Sequence, residues 1–165
     1  MNNLYAIVDI ETTGSFSSNG GITEIAIVVT DGKQVLDTYE TLINPNAFIP
    51  PFIQNLTGIS NEMVENAPQF SDVAEEIAQI LEGKIFVAHN VNFYYKYVKY
   101  ELELAGYSIG QPRLCTVRLG RKILPGLPSY SLGKLTKTLG IKHESKHRAM
   151  SDTMATTELF HLLIE

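Results

Sequence analysis

The stretch LYAIVDIETTG, residues 4–14, decides how this chain is read. Leu4–Ile10 is a short apolar run with β-branched residues, the pattern of a buried strand. Thr12-Thr13-Gly14 breaks the run, and residues 15–21 form a polar Gly/Ser/Asn loop. Asp9 and Glu11 stand at the end of the strand. Strand residues i and i+2 share a face, so the two carboxylates converge on one spot. Like charges there need a cation or a hydrogen-bond network. Oxygen-only ligands suit Mg²⁺ or Mn²⁺. A lone Asp-x-Glu also occurs in ordinary surface strands, so the motif alone leaves both readings open.

Working outward, Ile22–Thr30 is again β-rich, and Asp31-Gly32 is a hairpin signal before a third strand near Gln34–Ile43. The first 43 residues thus read as a three-stranded antiparallel meander. Asn44–Asn61 is rich in Pro and Asn and is expected to be loop with short turns of helix. Phe70–Leu81 reads as a helix with Val73, Ile77, Ile80 and Leu81 on one face. Lys84–Ala88 is a fourth strand, and Asn92–Ala105 a helix stopped by Gly106, with Phe93, Tyr97, Tyr100 and Leu104 at helical spacing. Tyr94, Tyr95, Tyr97 and Tyr100 are expected to pack in the core rather than stack on bases. Arg113–Cys115 fits a fifth strand, Val117–Leu124 and Leu132–Leu139 short helices. A closing helix spans Ser151–Ile164, with Ser151 as N-cap and Ala155, Leu159 and Leu162 on one stripe. Strands first, then helices between two more strands, predict a mixed-sheet α/β domain with helices packed on it.

With 165 residues, 44% of them apolar, the chain suits one domain with a real core. The longest charge-free stretch, Thr41–Asn61, holds four Asn, one Gln and three Pro, so no membrane span is expected. Met1-Asn2-Asn3 has neither a basic flank nor an apolar run behind it, so no secretory leader is expected. The single Cys115 excludes an internal disulfide framework and fits a reducing, cytoplasmic setting.

The formal net charge is −5, but it is unevenly spread. Residues 1–83 hold 12 acids and one base, whereas residues 84–165 hold 12 bases and 6 acids. Arg113–Arg148 alone carries nine bases and one acid. Such a division fits metal-binding carboxylates beside a phosphate-binding surface, and equally two solvated faces.

His147 and Asp152 lie five apart, the histidine in a loop and the acid in the first turn of the closing helix. A helix N-terminus favours an acid on its own account, so Asp152 also has a purely structural reading. Ala88-His89-Asn90-Val91-Asn92-Phe93 ends the fourth strand, where ligand sites of open α/β sheets often lie. Asn92 there also suits a helix cap.

Taken in order, these segments resemble the DEDDh 3′–5′ exonucleases, above all the proofreading exonuclease of the DNA polymerase III epsilon type. Val-Asp-Ile-Glu-Thr-Thr-Gly (8–14) is similar to the first family motif and Val-Ala-His-Asn-Val-Asn-Phe (87–93) to the second. Ile-Thr-Glu-Ile-Ala (22–26), Leu-Thr-Gly-Ile-Ser (56–60), Leu-Cys-Thr-Val-Arg-Leu (114–119), Tyr-Ser-Leu-Gly-Lys-Leu (130–135) and His-Arg-Ala-Met-Ser-Asp (147–152) complete the pattern.

The resemblance implies a ribonuclease H-like mixed five-stranded sheet, in a single exonuclease domain over residues 1–165 that is either whole or cut from a longer protein. It implies two divalent ions, Mg²⁺ or Mn²⁺, around Asp9, Glu11 and Asp152, with His147 as general base. Thr12, Thr13, Gly14, Thr57, Gly58, Ile59, His89 and Asn92 would meet substrate. Single-stranded DNA 3′ ends would be that substrate, and a DNA polymerase subunit a partner. The alternatives are a catalytically silent domain that binds nucleic-acid ends or a polymerase, and an RNA-directed exoribonuclease.

One catalytic position departs from the family. Its second motif ends Phe-Asp, but here Phe93 is followed by Tyr94. A tyrosine is neutral near pH 7, with an ordinary pKa of about 10. Glu101, seven residues on, lies about 10 Å along the helix axis, too far to replace the missing acid. One metal is therefore expected to bind weakly, and activity to fall by a factor of roughly 10² or more.

Overall fold

The computed structural model describes residues 2–17, 19–144 and 147–165. Strand β1 (Tyr5–Thr12) is the middle of a five-stranded sheet. Antiparallel β2 (Ile22–Thr30) and β3 (Val35–Leu42) lie on one side, parallel β4 (Ile85–Ala88) and β5 (Arg113–Cys115) on the other. The order is β3-β2-β1-β4-β5. Helices α1 (Pro51–Thr57) and α2 (Asn61–Glu65) precede α3 (Phe70–Leu81), and α4 (Val91–Leu104) joins β4 to β5. Then come α5 (Thr116–Ile123), α6 (Leu132–Leu139) and α7 (Ala149–Ile164).

Alternation along β1 divides the core. Ala6, Val8 and Ile10 pack with Ala74, Ile77 and Leu81 of α3 and Tyr95, Val98 and Leu102 of α4. Tyr5 and Ile7 turn the other way, onto Phe160 of α7, with Tyr5 and Phe160 ring centroids 4.8 Å apart. Every residue of β2 is buried, as expected for a strand covered on both faces.

The two-residue pitch of a strand and the pitch of a helix then fix where the chain's acids meet. Asp9 and Glu11 lie on the Phe160 face, four residues or about 13 Å beyond Tyr5 and Ile7. Asp152 lies eight residues before Phe160, about 12 Å back along α7. Two elements that touch at Phe160 and run antiparallel therefore bring Asp152 level with Asp9 and Glu11.

Several expectations are corrected. β1 continues to Thr12, which places Glu11 within the sheet; its register with β2 then shifts between Glu11 and Thr12, where Thr23 is the extra residue. The region 44–61, by contrast, is loop with one short helix, α1, as expected, and α2 starts at its final residue. On α4 the inward stripe is Val91, Tyr95, Val98 and Leu102 together with Tyr97, because α3 and the sheet take that side. Leu104 is consequently 68% exposed. Asn92 is in the exposed first turn of α4, and Asn90, in a left-handed conformation, holds the cap position.

Ser151 lies inside α7, which begins at Ala149 with Arg148 at its cap position. The buried stripe of α7 is Ala155, Leu159 and Leu163, packed against Leu135 of α6, while Leu162 faces out. No helix among the described residues is long and apolar enough to cross a membrane.

Candidate active site

Asp9, Glu11 and Asp152 each offer a carboxylate oxygen within 4.8 Å of the others. Asp9 is buried and its Oδ2 has no hydrogen-bond partner. Burial raises the Asp9 pKa well above the usual carboxylate range, and the Glu11 and Asp152 charges add to it. Glu11 is pushed up to about 8, first by burial and then by Asp152 and Glu24, with Arg148 opposing. Asp152 is also raised by burial, against the lowering effect of its hydrogen bond to His143. Three crowded carboxylates with an orphaned buried oxygen make an all-oxygen donor set, which fits a hard divalent cation.

Tyr94 stands beside this cluster, lining the same site as Asp9 and Asp152. Its hydroxyl faces the Asp9 carboxyl. Burial, followed by the charge of Asp9, raises its pKa, so the ring stays protonated and brings no charge to the site. The Phe93 and Tyr94 rings meet edge to face at 5.2 Å. Tyr95 and Tyr97 are core residues, in line with the packing expectation for these aromatics.

The helix-borne acid is placed by contacts that sequence spacing does not reveal. Glu24 lies opposite Glu11 across the β1–β2 ladder, with a side chain only 6% exposed. It binds Arg148 through two bonds, Nε at 3.1 Å and Nη2 at 2.8 Å, and accepts the Ala149 N–H at 2.9 Å. One β2 carboxylate thus caps α7 in place of Ser151 and anchors the turn that carries Asp152. The available signal was the one charged residue in a strand otherwise built from apolar residues and two threonines. His143, also absent from the sequence reading, puts Nε2 2.5 Å from Asp152 Oδ1 and is almost fully buried.

The remaining candidates separate into three groups. Thr12 and Gly14 line a cavity of about 380 Å³ with Glu11, Phe52, Leu56 and Thr57. Thr12 Oγ1 donates to the Gly14 carbonyl at 2.6 Å, and the Thr13 hydroxyl accepts from the Gly21 N–H at 3.1 Å. His147 is exposed, has φ 65°, and borders this cavity as well as a second of about 520 Å³.

His89 borders the second cavity, but both ring nitrogens are held at 2.8 Å, by Thr116 Oγ1 and the Tyr130 carbonyl. The carbonyl can only accept, so Nε2 donates and Nδ1 receives the threonine proton. Gly58 is the exposed left-handed cap of α1, whereas Ile59 is fully buried with Ile49, Ile53 and Val64. Asn92 borders neither cavity.

The exonuclease family RNase_T matches residues 6–160. The chain is 44% identical over 163 residues to the 3′-5′ exonuclease DinG of Bacillus subtilis (strain 168), covering 98% of this chain and 18% of that protein. It is 33% identical over 162 residues to the DNA polymerase III subunit epsilon of Aquifex aeolicus (strain VF5), covering 98% and 80%. Exonuclease X, solved in complex with 5′ overhanging duplex DNA, superposes with a TM-score of 0.79 at 29% identity, over 97% of this chain and 90% of that one. The chain therefore spans under a fifth of the DinG protein but most of the epsilon subunit. Its sheet order is that of a ribonuclease H-like fold, its acids meet at the end of the central strand, and it belongs to the exonuclease family.

Proposed function

We propose that the chain is a metal-dependent 3′–5′ exonuclease that removes nucleotides from single-stranded or frayed DNA 3′ ends, with turnover held down by Tyr94. The observation that carries this reading is the meeting of Asp9, Glu11 and Asp152 within 4.8 Å, in a chain of the exonuclease family. These three residues would hold Mg²⁺ or Mn²⁺. A bound divalent ion supplies charge neutralisation at the phosphoryl group and at the departing oxygen. His147, on the rim of both cavities, takes the proton of the attacking water, since imidazole works near neutral pH. Thr12, Gly14 and Thr57 line the cavity for the terminal nucleoside, with Phe52 and Leu56 as its apolar wall.

Tyr94 brings no negative charge and points its hydroxyl at Asp9, so a second ion would be held weakly there. The same observation favours the second reading, a silent domain that holds DNA ends without cutting. A DNA polymerase subunit as partner is supported by the epsilon-subunit relative, and a cytoplasmic location by the single cysteine.

The test incubates the chain with 3′-labelled single-stranded DNA in Mg²⁺ and in Mn²⁺, beside Tyr94→Asp, with RNA of the same sequence in parallel. Laddering by both proteins is expected, with Tyr94→Asp faster by roughly 10². Laddering by the variant alone supports the silent domain. Faster digestion of RNA makes the enzyme an exoribonuclease. Failure of both proteins on both polymers overturns the reading.

A further inference from the structure

The two cavities of the site share Tyr94, His147 and Asp152 and then diverge. The smaller continues past Gly14 to Phe52 and Leu56 and is apolar at its far end. The larger contains Asp9 and runs past Ser131 to Lys134 and Lys137. A phosphodiester at the junction has two unlike sides. One carries the departing nucleoside, which brings a base and a sugar. The other carries the retained strand, which brings a further negative charge with every nucleotide. The cavity bearing cations matches the retained strand.

Few cations of the basic half are available for this task. Of the nine bases in Arg113–Arg148, Arg148 is bound by Glu24 and Lys142 by Glu144 at 3.0 Å. Arg113 lies over the Tyr95 ring at 4.6 Å and Arg121 over Tyr130 at 5.6 Å. Arg118 and Lys122 are exposed on α5 and line neither cavity. Lys146 is outside the described residues. Lys134 and Lys137 are exposed, make no ion pair among the described residues, and line the cavity that contains Asp9 and Asp152. Three residues apart on α6, they are neighbours on one helix face.

We infer that Lys134 and Lys137 form a subsite for the backbone phosphates of the retained strand, on the 5′ side of the bond to be cut. The ligand class is a single-stranded nucleic-acid backbone, read by charge and without base recognition. This inference rests on the exonuclease reading above and adds a direction to it. The strand leaves the acidic cluster along the first two turns of α6, and the basic surface of α5 plays no part.

Binding of 5′-fluorescein-labelled dT10, with a phosphorothioate in its last linkage, is followed by anisotropy in Mg²⁺ over a range of salt. Lys134→Gln/Lys137→Gln is compared with Arg118→Gln/Lys122→Gln and with Lys134→Arg/Lys137→Arg. The glutamine pair on α6 is expected to bind about 10-fold more weakly. Its salt dependence is expected to flatten by about 1.4, two lost contacts at about 0.7 each for a single strand. The arginine pair restores both. Competition by unlabelled dTpdT, which has no phosphate beyond the scissile one, is expected to change about 2-fold or less.

An equal loss in the α5 pair, or an unchanged salt slope in the α6 pair, overturns the lysine subsite while leaving the exonuclease reading intact. A wild-type chain that fails to hold dT10 at all overturns that reading and the subsite with it.

Discussion

Asp9 and Glu11 reach the acidic cluster by one route and Asp152 by another. The first two are fixed by the sheet: Asp9 lies opposite Ala26 and Glu11 opposite Glu24, in a strand hydrogen-bonded along its length to β2. Their positions are lost only when the sheet itself is lost. Asp152 rides on α7, whose first turn is held by the side chains of Glu24 and Arg148, while His143 holds the carboxylate itself. A backbone ladder secures one side and three side chains secure the other. The helix side can therefore be loosened by single substitutions that leave the sheet intact.

The largest expected effect treats the two sides alike. Asp9→Asn and Asp152→Asn are each expected to cut exonuclease turnover on labelled single-stranded DNA by on the order of 10³-fold. Calorimetric titration with Mn²⁺ is expected to lose its binding heat in both. Without metal, Asp9→Asn is expected to melt higher than wild type, because the carboxyl that burial and two neighbouring acids drive out of its preferred ionised form is gone. Strong turnover in either variant would remove that acid from the cluster's function.

Next in size is the clamp. Arg148→Ala leaves the Glu24 carboxylate buried and without its guanidinium, and is expected to cost about 3 kcal/mol in urea unfolding. Glu24→Ala leaves an arginine that is 41% exposed and free to hydrate, so a smaller loss, about 1–2 kcal/mol, is expected. A reversed order would mean that the acceptor for the Ala149 N–H matters more than the charge pair.

His143→Ala touches only the helix-borne acid. It is expected to weaken Mn²⁺ binding by about 10-fold, the scale for a group that orients a metal ligand. In an Asp152→Asn background, where the binding heat is already lost, the same change is expected to leave the residual turnover unaltered. Equal losses in both backgrounds would assign His143 to general packing.

The last effect is confined to the metal-free protein and belongs to the strand side and to pH. Glu11 has a pKa of about 8 in the folded, metal-free protein against 4.5 unfolded. Below pH 4.5 both states hold the proton, and no penalty applies. As pH rises from 4.5 towards 8, the unfolded chain releases it more readily, so the metal-free fold loses stability across that window. The melting temperature is expected to fall on the order of 10 °C there, at about 1.4 kcal/mol per pKa unit and about 2–4 °C per kcal/mol for a domain of this size. Glu11→Gln is expected to flatten the fall.

The legible parts of this chain were those with local causes. Ile22–Thr30, Phe70–Leu81, Arg113–Cys115 and Leu132–Leu139 have the expected bounds because apolar period and flanking Gly, Pro or Asp act within a few residues. The meeting of Asp9, Glu11 and Asp152 follows from motif order, since spacing alone favours an ordinary surface pair over a metal site. What stayed hidden depends on distant residues. Ser151 looks like a cap by itself, and only a carboxylate more than 120 residues away makes Ala149 the start of α7. Leu104 and Leu162 fit helical stripes, but the neighbouring helices and sheet select stripes one or two positions away. His143 has no motif; its value comes from the side chain it meets.

The register shift after Glu11 sets a boundary for changes in chain length. Upstream of it, inserting one residue near Ala6 would exchange the faces of Val8 and Ile10 with those of Asp9 and Glu11, driving two carboxylates into the oily layer under α3 and α4. Downstream, where the pleat has already been interrupted, the segment between Gly14 and Gly20 can grow or shrink without turning either acid over. A change of length is thus expected to spare the acidic cluster beyond Gly14 and to break it within the strand.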